Sequence, residues 1–156
     1  ISNVYKTVKS TKKKVKFGIS PAGNIDNLYL SWSYYCDVKK WMNSNKYIDY
    51  ICPQIYWTFT NKTCPFKKTC LRWAKLPRNK NVKLYIGLAG YRAGLSKSQA
   101  KAVSDIGWSK SNTILKREVM YGRSTKKVSG YVLFSYADLS RKAASKEIAN
   151  LKKIFK

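Results

Sequence analysis

Ile48-Asp49-Tyr50-Ile51-Cys52-Pro53-Gln54-Ile55-Tyr56-Trp57 is the stretch on which the fold turns. Its first five residues form a short apolar run, as in a strand buried on both faces of a parallel sheet covered by helices. Pro53 cannot donate to a ladder, so regular pairing should break there. Gln54, Tyr56 and Trp57 then fall at or just past the carboxyl end, where parallel α/β folds bind ligands. Ordinary core aromatics and a satisfied buried amide are the competing reading of the same three residues.

Outward from this strand, the chain alternates. Ile1, Val4 and Val8 share a helical face, so a helix is expected from Ile1 to about Lys13. Val15–Ser20 reads as a strand ending in the turn cluster Pro21-Ala22-Gly23-Asn24. Helices are expected over Tyr34–Asn45 and Pro65–Ala74, then a strand over Val82–Ala89. A short helix over Ser96–Val103 and one over Thr113–Tyr121 capped by Asn112 follow. Gly130–Tyr136 is the last strand. Ala144, Ile148, Leu151 and Phe155 mark a final amphipathic helix, whose Lys152, Lys153 and Lys156 suit its negative end.

Strand starts at 15, 48, 82 and 131 lie 33, 34 and 49 residues apart. That is the rhythm of βα units in a parallel sheet with right-handed crossovers. Eight such units close a TIM barrel of about 250 residues. The expected fold is therefore α/β: a parallel four-stranded βα-repeat sheet, either half of a TIM (β/α)8 barrel or a small open sheet. Residues 1–156 are read as one domain.

The chain carries 32 Lys and Arg against 7 Asp and Glu, a formal net charge of +25. Such a field favours anionic partners: nucleic acid, an anionic cell wall or a membrane surface. The lysines are spread out, with Lys12-Lys13-Lys14 the longest run, which fits solvated helix faces better than a nucleic-acid signature. No run of 18 apolar residues exists, so no membrane span is expected. The start has neither an apolar signal region nor an initiator Met, and reads as a processed or excised piece.

Cys36, Cys52, Cys64 and Cys70 contain no C-x-x-C pair, and there is no His, so no metal site is expected. Cys64 and Cys70 are spaced either to bridge a loop or to open a helix. Without a G-x-G-x-x-G or Walker loop, no cofactor is expected.

Each strand ends in polar or aromatic groups: Ser20 and Asn24; Gln54, Tyr56 and Trp57; Tyr91 and Arg92; Ser135, Tyr136 and Asp138. Aromatic planes cover the C–H face of a sugar while amides and hydroxyls bond its hydroxyl groups, so these residues form a candidate carbohydrate subsite. Ordinary turn work is the alternative. Glycoside hydrolysis uses two carboxyl groups roughly 5–10 Å apart. Of the seven acids, only Asp26 and Asp138 could reach the carboxyl-end face, and both are weak candidates. Asp49 sits at the start of its strand, on the stability face.

The blocks Phe17-Gly18-Ile19-Ser20-Pro21, Asp49 through Trp57, Leu84-Tyr85-Ile86-Gly87 and Phe134-Ser135-Tyr136 stand in a recognisable order. Tyr35-Cys36-Asp37-Val38 before Trp41, and Gly130 before the last strand, add to it. Together they resemble the bacterial family 10 glycosylhydrolase-like proteins, which are distinct from the family 10 xylanases. The resemblance covers nearly the whole chain. It implies the second half of a TIM barrel and cleavage of bacterial cell-envelope glycans, hence an extracellular or envelope location. It also implies that the family's aspartate-rich D-G-x-x-x-D-D-Y block lies upstream of Ile1, leaving the catalytic carboxylates outside this chain. The implied partners are a polysaccharide or amino-sugar oligomer, and the amino-terminal half-barrel or a second copy. A basic non-catalytic module for nucleic acid or teichoic acid is the rival reading.

Overall fold

The computed structural model describes residues 1–30, 32 and 34–155, so Lys156 lies outside the described residues. The first half of the chain comprises α1 (Ser2–Thr11), β1 (Gly18–Ile19), α2 (Ile25–Tyr29), α3 (Val38–Met42), β2 (Tyr50–Ile51) and α4 (Phe66–Lys75). The second comprises β3 (Lys83–Ala89), α5 (Lys97–Ala102), α6 (Ile114–Ser124), β4 (Gly130–Phe134), α7 (Tyr136–Leu139) and α8 (Ser145–Lys152). The four strands form one sheet in the order β1-β2-β3-β4, every pair parallel. This alternation of strand and helix is that of half a TIM barrel. Among the described residues, no helix is long and apolar enough to cross a membrane.

The register sorts side chains between two faces, because successive strand residues point to opposite sides. Ile51, Leu84, Ile86 and Leu88 point toward the helices and are fully buried with Phe66, Trp73, Leu115 and Val119. The other face holds Gly18, Tyr50, Tyr85, Gly87, Gly130, Val132 and Phe134, paired in register across the sheet. It is open: Val132 is 49% and Phe134 57% exposed. Tyr50 is only half-buried, so β2 is not covered on both faces as its apolar run led one to expect. Small residues here make room for large neighbours. A Cβ on Gly18 would sit 2.3 Å from the Tyr50 ring, and one on Gly130 would sit 3.0 Å from that of Tyr85.

Asp49, at the amino end of β2, ties the first helix to the sheet. Its Oδ2 accepts from Lys9 Nζ at 2.6 Å and from the Phe17 N–H at 2.7 Å. Partial burial works against its ionised form, but these two donors prevail and hold its pKa below the usual carboxylate value.

Two local expectations fail, and one element went unread. After the turn at residues 21–24 comes a helix, α2, that apolar periodicity did not reveal; Asn24 caps it by accepting from the Asp26 N–H at 3.1 Å. The helix expected over Tyr34–Asn45 is confined to Val38–Met42, because Tyr35 adopts φ +50° and Asp37 becomes the cap through the Lys40 N–H. Asn112 does not cap α6. Thr113 holds that position without a side-chain bond, and Glu147 of α8 supplies the acceptor instead, taking the Leu115 N–H at 2.7 Å. The Cys64–Cys70 alternatives resolve toward the helix, since all four thiols are free.

Beside that cap lies a second buried acid, Glu118 of α6. Neither of its oxygens has a hydrogen-bond partner among the described residues. Burial, then the nearby charges of Glu147 and Asp105, push its pKa well above the usual value. An acid whose folded pKa is raised contributes fully only below its unfolded pKa, about 4.3. Stability then falls as pH rises from there toward the folded pKa, by at most about 1.4 kcal/mol per pH unit for this one group. Glu118→Gln should flatten that decline between pH 5 and 7 in urea melts. An unchanged pH slope would contradict the assignment.

Candidate functional site

The carboxyl end of β2 is placed by backbone bonds that continue beyond Pro53. Gln54 bridges to Ala22 on one side and to Gly87 on the other. The Gln54 N–H donates to Pro21 O at 2.9 Å, and the Ile55 N–H to Gly87 O at 3.0 Å. Gly23 is indispensable here, since a Cβ would fall 2.3 Å from Gln54 O. Buried Trp73 fixes the same turn by donating Nε1–H to Gly23 O at 2.7 Å.

On the open face, Gln54 Nε2 donates to Ser20 O at 3.2 Å and reaches Ser20 Oγ at 3.4 Å. Ser20 Oγ donates in turn to Cys52 O at 2.8 Å. With Nε2 committed to Ser20, the amide carbonyl is the group left to meet a ligand hydroxyl. Next to them stands an aromatic trio. Tyr56 lies 6.4 Å from Phe134 with the planes 19° apart, and Tyr91 meets both edge-on at 5.6 and 6.2 Å. Burial, followed by the neighbouring Tyr91 and Cys52, raises the Tyr56 pKa, so its phenol stays a neutral donor. Burial likewise pushes the Cys52 thiol up to about 11, against the opposing bond from Ser20, which removes it as a nucleophile.

Arg92 holds the trio from behind. Its Nη1 donates to Tyr56 O at 2.7 Å and its guanidinium lies 5.4 Å from the Tyr91 ring centre. It therefore supports the site instead of lining it.

Trp57 does not join the trio. It lines a separate hollow of about 310 Å³ with Asn24, Asn27, Tyr34 and Asn61. Tyr136 is 89% exposed at the start of α7 and makes no aromatic pair among the described residues. Ser135 closes a capping box with Asp138, donating Oγ–H to Asp138 Oδ2 at 2.7 Å. The nine strand-end residues thus divide: Ser20, Gln54, Tyr56 and Tyr91 gather, Asn24 and Trp57 form a second wall, Arg92 and Ser135 do structural work, and Tyr136 stands exposed apart from them. Phe134, Asn27, Tyr34 and Asn61 were missed. Strand register would have given Phe134, which pairs with Ala89 two rows above Gly130.

The acids are occupied elsewhere. Asp26 forms a forked ion pair with Arg72 at 2.6 and 2.8 Å. The Arg72 hydrogen bond holds its pKa below the usual value, which is opposite to what a general acid needs. Asp138 caps α7 and lies 3.4 Å from Arg141. Asp105 accepts from the Thr58 N–H and hydroxyl at 2.8 and 2.6 Å. Asp37 and Glu147 cap α3 and α6, and Asp49 binds Lys9. Glu118 is sealed beneath α6.

A family model described as glycosyl hydrolase-like 10 matches residues 1–105. The chain is similar to the glycosyl hydrolase DigH of Escherichia coli (strain K12), at 28% identity over 97% of this chain and 36% of DigH. It is also similar to the glycosyl hydrolase YngK of Bacillus subtilis (strain 168), at 29% identity over 90% of this chain and 28% of YngK. The chain spans about a third of the length of these curated relatives.

Arg92→Met keeps the side-chain bulk but leaves Tyr56 O without its donor. Because Arg92 Nε is itself buried without a partner, the net loss should be modest, about 1 kcal/mol. Urea denaturation reads this directly, and an unchanged midpoint would remove Arg92 from the support of the trio.

Proposed function

The chain belongs to the glycosyl hydrolase-like 10 family, and from that premise we propose that it supplies the glycan-binding wall of a barrel active site. The substrate is a bacterial cell-envelope polysaccharide, met outside the cell or in its envelope, and the catalytic carboxylates come from outside these 156 residues. The observation that carries this reading is the open face of the sheet. There an amide, a hydroxyl and three aromatic rings share one side of the sheet while every acid is engaged elsewhere or buried.

The binding chemistry follows from these groups. Tyr56, Tyr91 and Phe134 offer apolar surface to the C–H face of a sugar ring. Gln54 and Ser20 meet its hydroxyls. Trp57, with Asn24 and Tyr34, forms a further wall for a neighbouring sugar unit. Tyr136, largely exposed, borders the same end of β4.

Hydrolysis requires one carboxyl that protonates the leaving group and another that attacks or activates water. Asp26, paired with Arg72, and Asp138, bonded to Ser135, fit neither role. The half-exposed Val132 and Phe134 are lumen-type positions of a barrel. We assign their cover to an amino-terminal half-barrel that brings the missing acids.

Two measurements test this. Tyr56→Ala and Trp57→Ala should each weaken binding of an amino-sugar oligomer by about 1–3 kcal/mol, the range for a well-used aromatic ring. Undiminished binding in both would place the sugar elsewhere. In a turnover assay on glycan strands, the unmodified chain alone should be inactive. Activity that Asp26→Asn or Asp138→Asn abolishes would bring the chemistry back inside the chain. Binding that ignores neutral oligosaccharides and collapses with salt would favour a polyanion module instead.

A further inference from the structure

At the opposite end of the sheet lies a hollow of about 570 Å³. It opens between the connection from α4 to β3 and the connection from α6 to β4. Its walls carry Lys75, Arg78, Lys80, Lys83 and Lys127. No acidic side chain lines it, and none of these five cations belongs to an ion pair among the described residues. Elsewhere in the chain, Lys9, Arg72 and Arg141 do find carboxylates.

Arg78 is the informative residue. Its Nη2 donates to Lys127 O at 2.8 Å, which ties the two connections together and fixes the shape of the hollow. Its Nη1 is buried without a hydrogen-bond partner among the described residues. Burial also lowers the Arg78 pKa, with no counter-charge to offset it. A guanidinium stripped of part of its water and given no anion is costly unless a ligand supplies one. Ser129 and Thr125 add hydroxyls to the same wall.

We propose that this hollow binds an anion bearing closely spaced phosphate groups, of the diphosphate class. The cations approach from both connections and from the start of β3, so the positive charge surrounds the space instead of forming a flat stripe. A volume of about 570 Å³ exceeds what a single phosphate fills. Arg78 supplies a partly desolvated charge beside the space, and Lys75, Lys80, Lys83 and Lys127 supply mobile point charges. Single-stranded nucleic acid fits less well, because its binding depends on aromatic platforms for the bases and no aromatic side chain lines the hollow. The site lies toward the amino ends of the strands, opposite Gln54, Tyr56 and Tyr91, and does not depend on the glycan reading.

Calorimetric titration of inorganic pyrophosphate at constant ionic strength tests it, with sulfate as the comparison anion. Pyrophosphate should saturate one site per chain and bind at least about tenfold more tightly than sulfate. Arg78→Gln and Lys127→Gln should each weaken it by about tenfold, the loss of one charge-assisted contact. Lys13→Gln removes the same charge from a residue that does not line the hollow and should change nothing. Arg78→Gln also removes the bond to Lys127 O, so its fold is checked by circular dichroism. Lys127→Gln keeps its backbone carbonyl and decides the matter if Arg78→Gln unfolds. Equal affinity for pyrophosphate and sulfate, or equal weakening by Lys13→Gln, would overturn the site.

Discussion

The carboxyl end of β2 passes between two glycines, and the architecture of the open face depends on that close fit. On one side Gly23 touches Gln54 O; on the other, a Cβ at Gly87 would stand 3.1 Å from Pro53 O. With no side chains in the way, backbone bonding continues from Pro21 through Gln54 to Gly87, even though Pro53 donates nothing. Gln54 and Tyr56 are thereby held rigidly at the rim, and Ser20 comes within reach of the amide. A bulkier residue at either glycine would push the strand ends apart and scatter the groups that make up the candidate site.

Charge is distributed with the same economy. Thirty-two cations meet seven acids, and most of the carboxylates fix a helix end, a loop or a strand start. Asp49 anchors α1, Asp105 anchors the loop at Thr58, and Asp138 and Glu147 close helix ends. The remaining lysines keep the chain soluble through mutual repulsion. They also leave concave regions such as the one around Arg78 strongly positive.

The βα order was legible because long periodic segments carry it. β3, β4, α4 and α8 lie within a few residues of where periodicity puts them. The short elements were not legible. α2 has five residues, too few for a helical repeat to stand out, and α3 loses its first turn to the left-handed Tyr35. The site was half legible. Tyr56 and Trp57 are neighbours along an extended chain and so face opposite ways; grouping them by position at the strand end ignored that alternation. Ser135 and Tyr136 belong to a helix start instead of a strand end. The cap of α6 was invisible for a different reason. Local motifs seek an acceptor within a few residues, whereas this one comes from Glu147, 32 residues later.

That distance gives the chain an order of assembly. While α6 is being made, its first amide groups have no partner, since Thr113 offers none. At a synthesis rate of roughly 5–20 residues per second, Glu147 emerges about two to six seconds after Leu115. Through that interval the nascent helix has an open end and an uncovered apolar side. Only when α8 docks, delivering its carboxyl group and Leu151 together, does α6 become a finished part. α8 therefore acts as a latch: a chain truncated before residue 147 would keep all four strands but leave its helix layer unlocked.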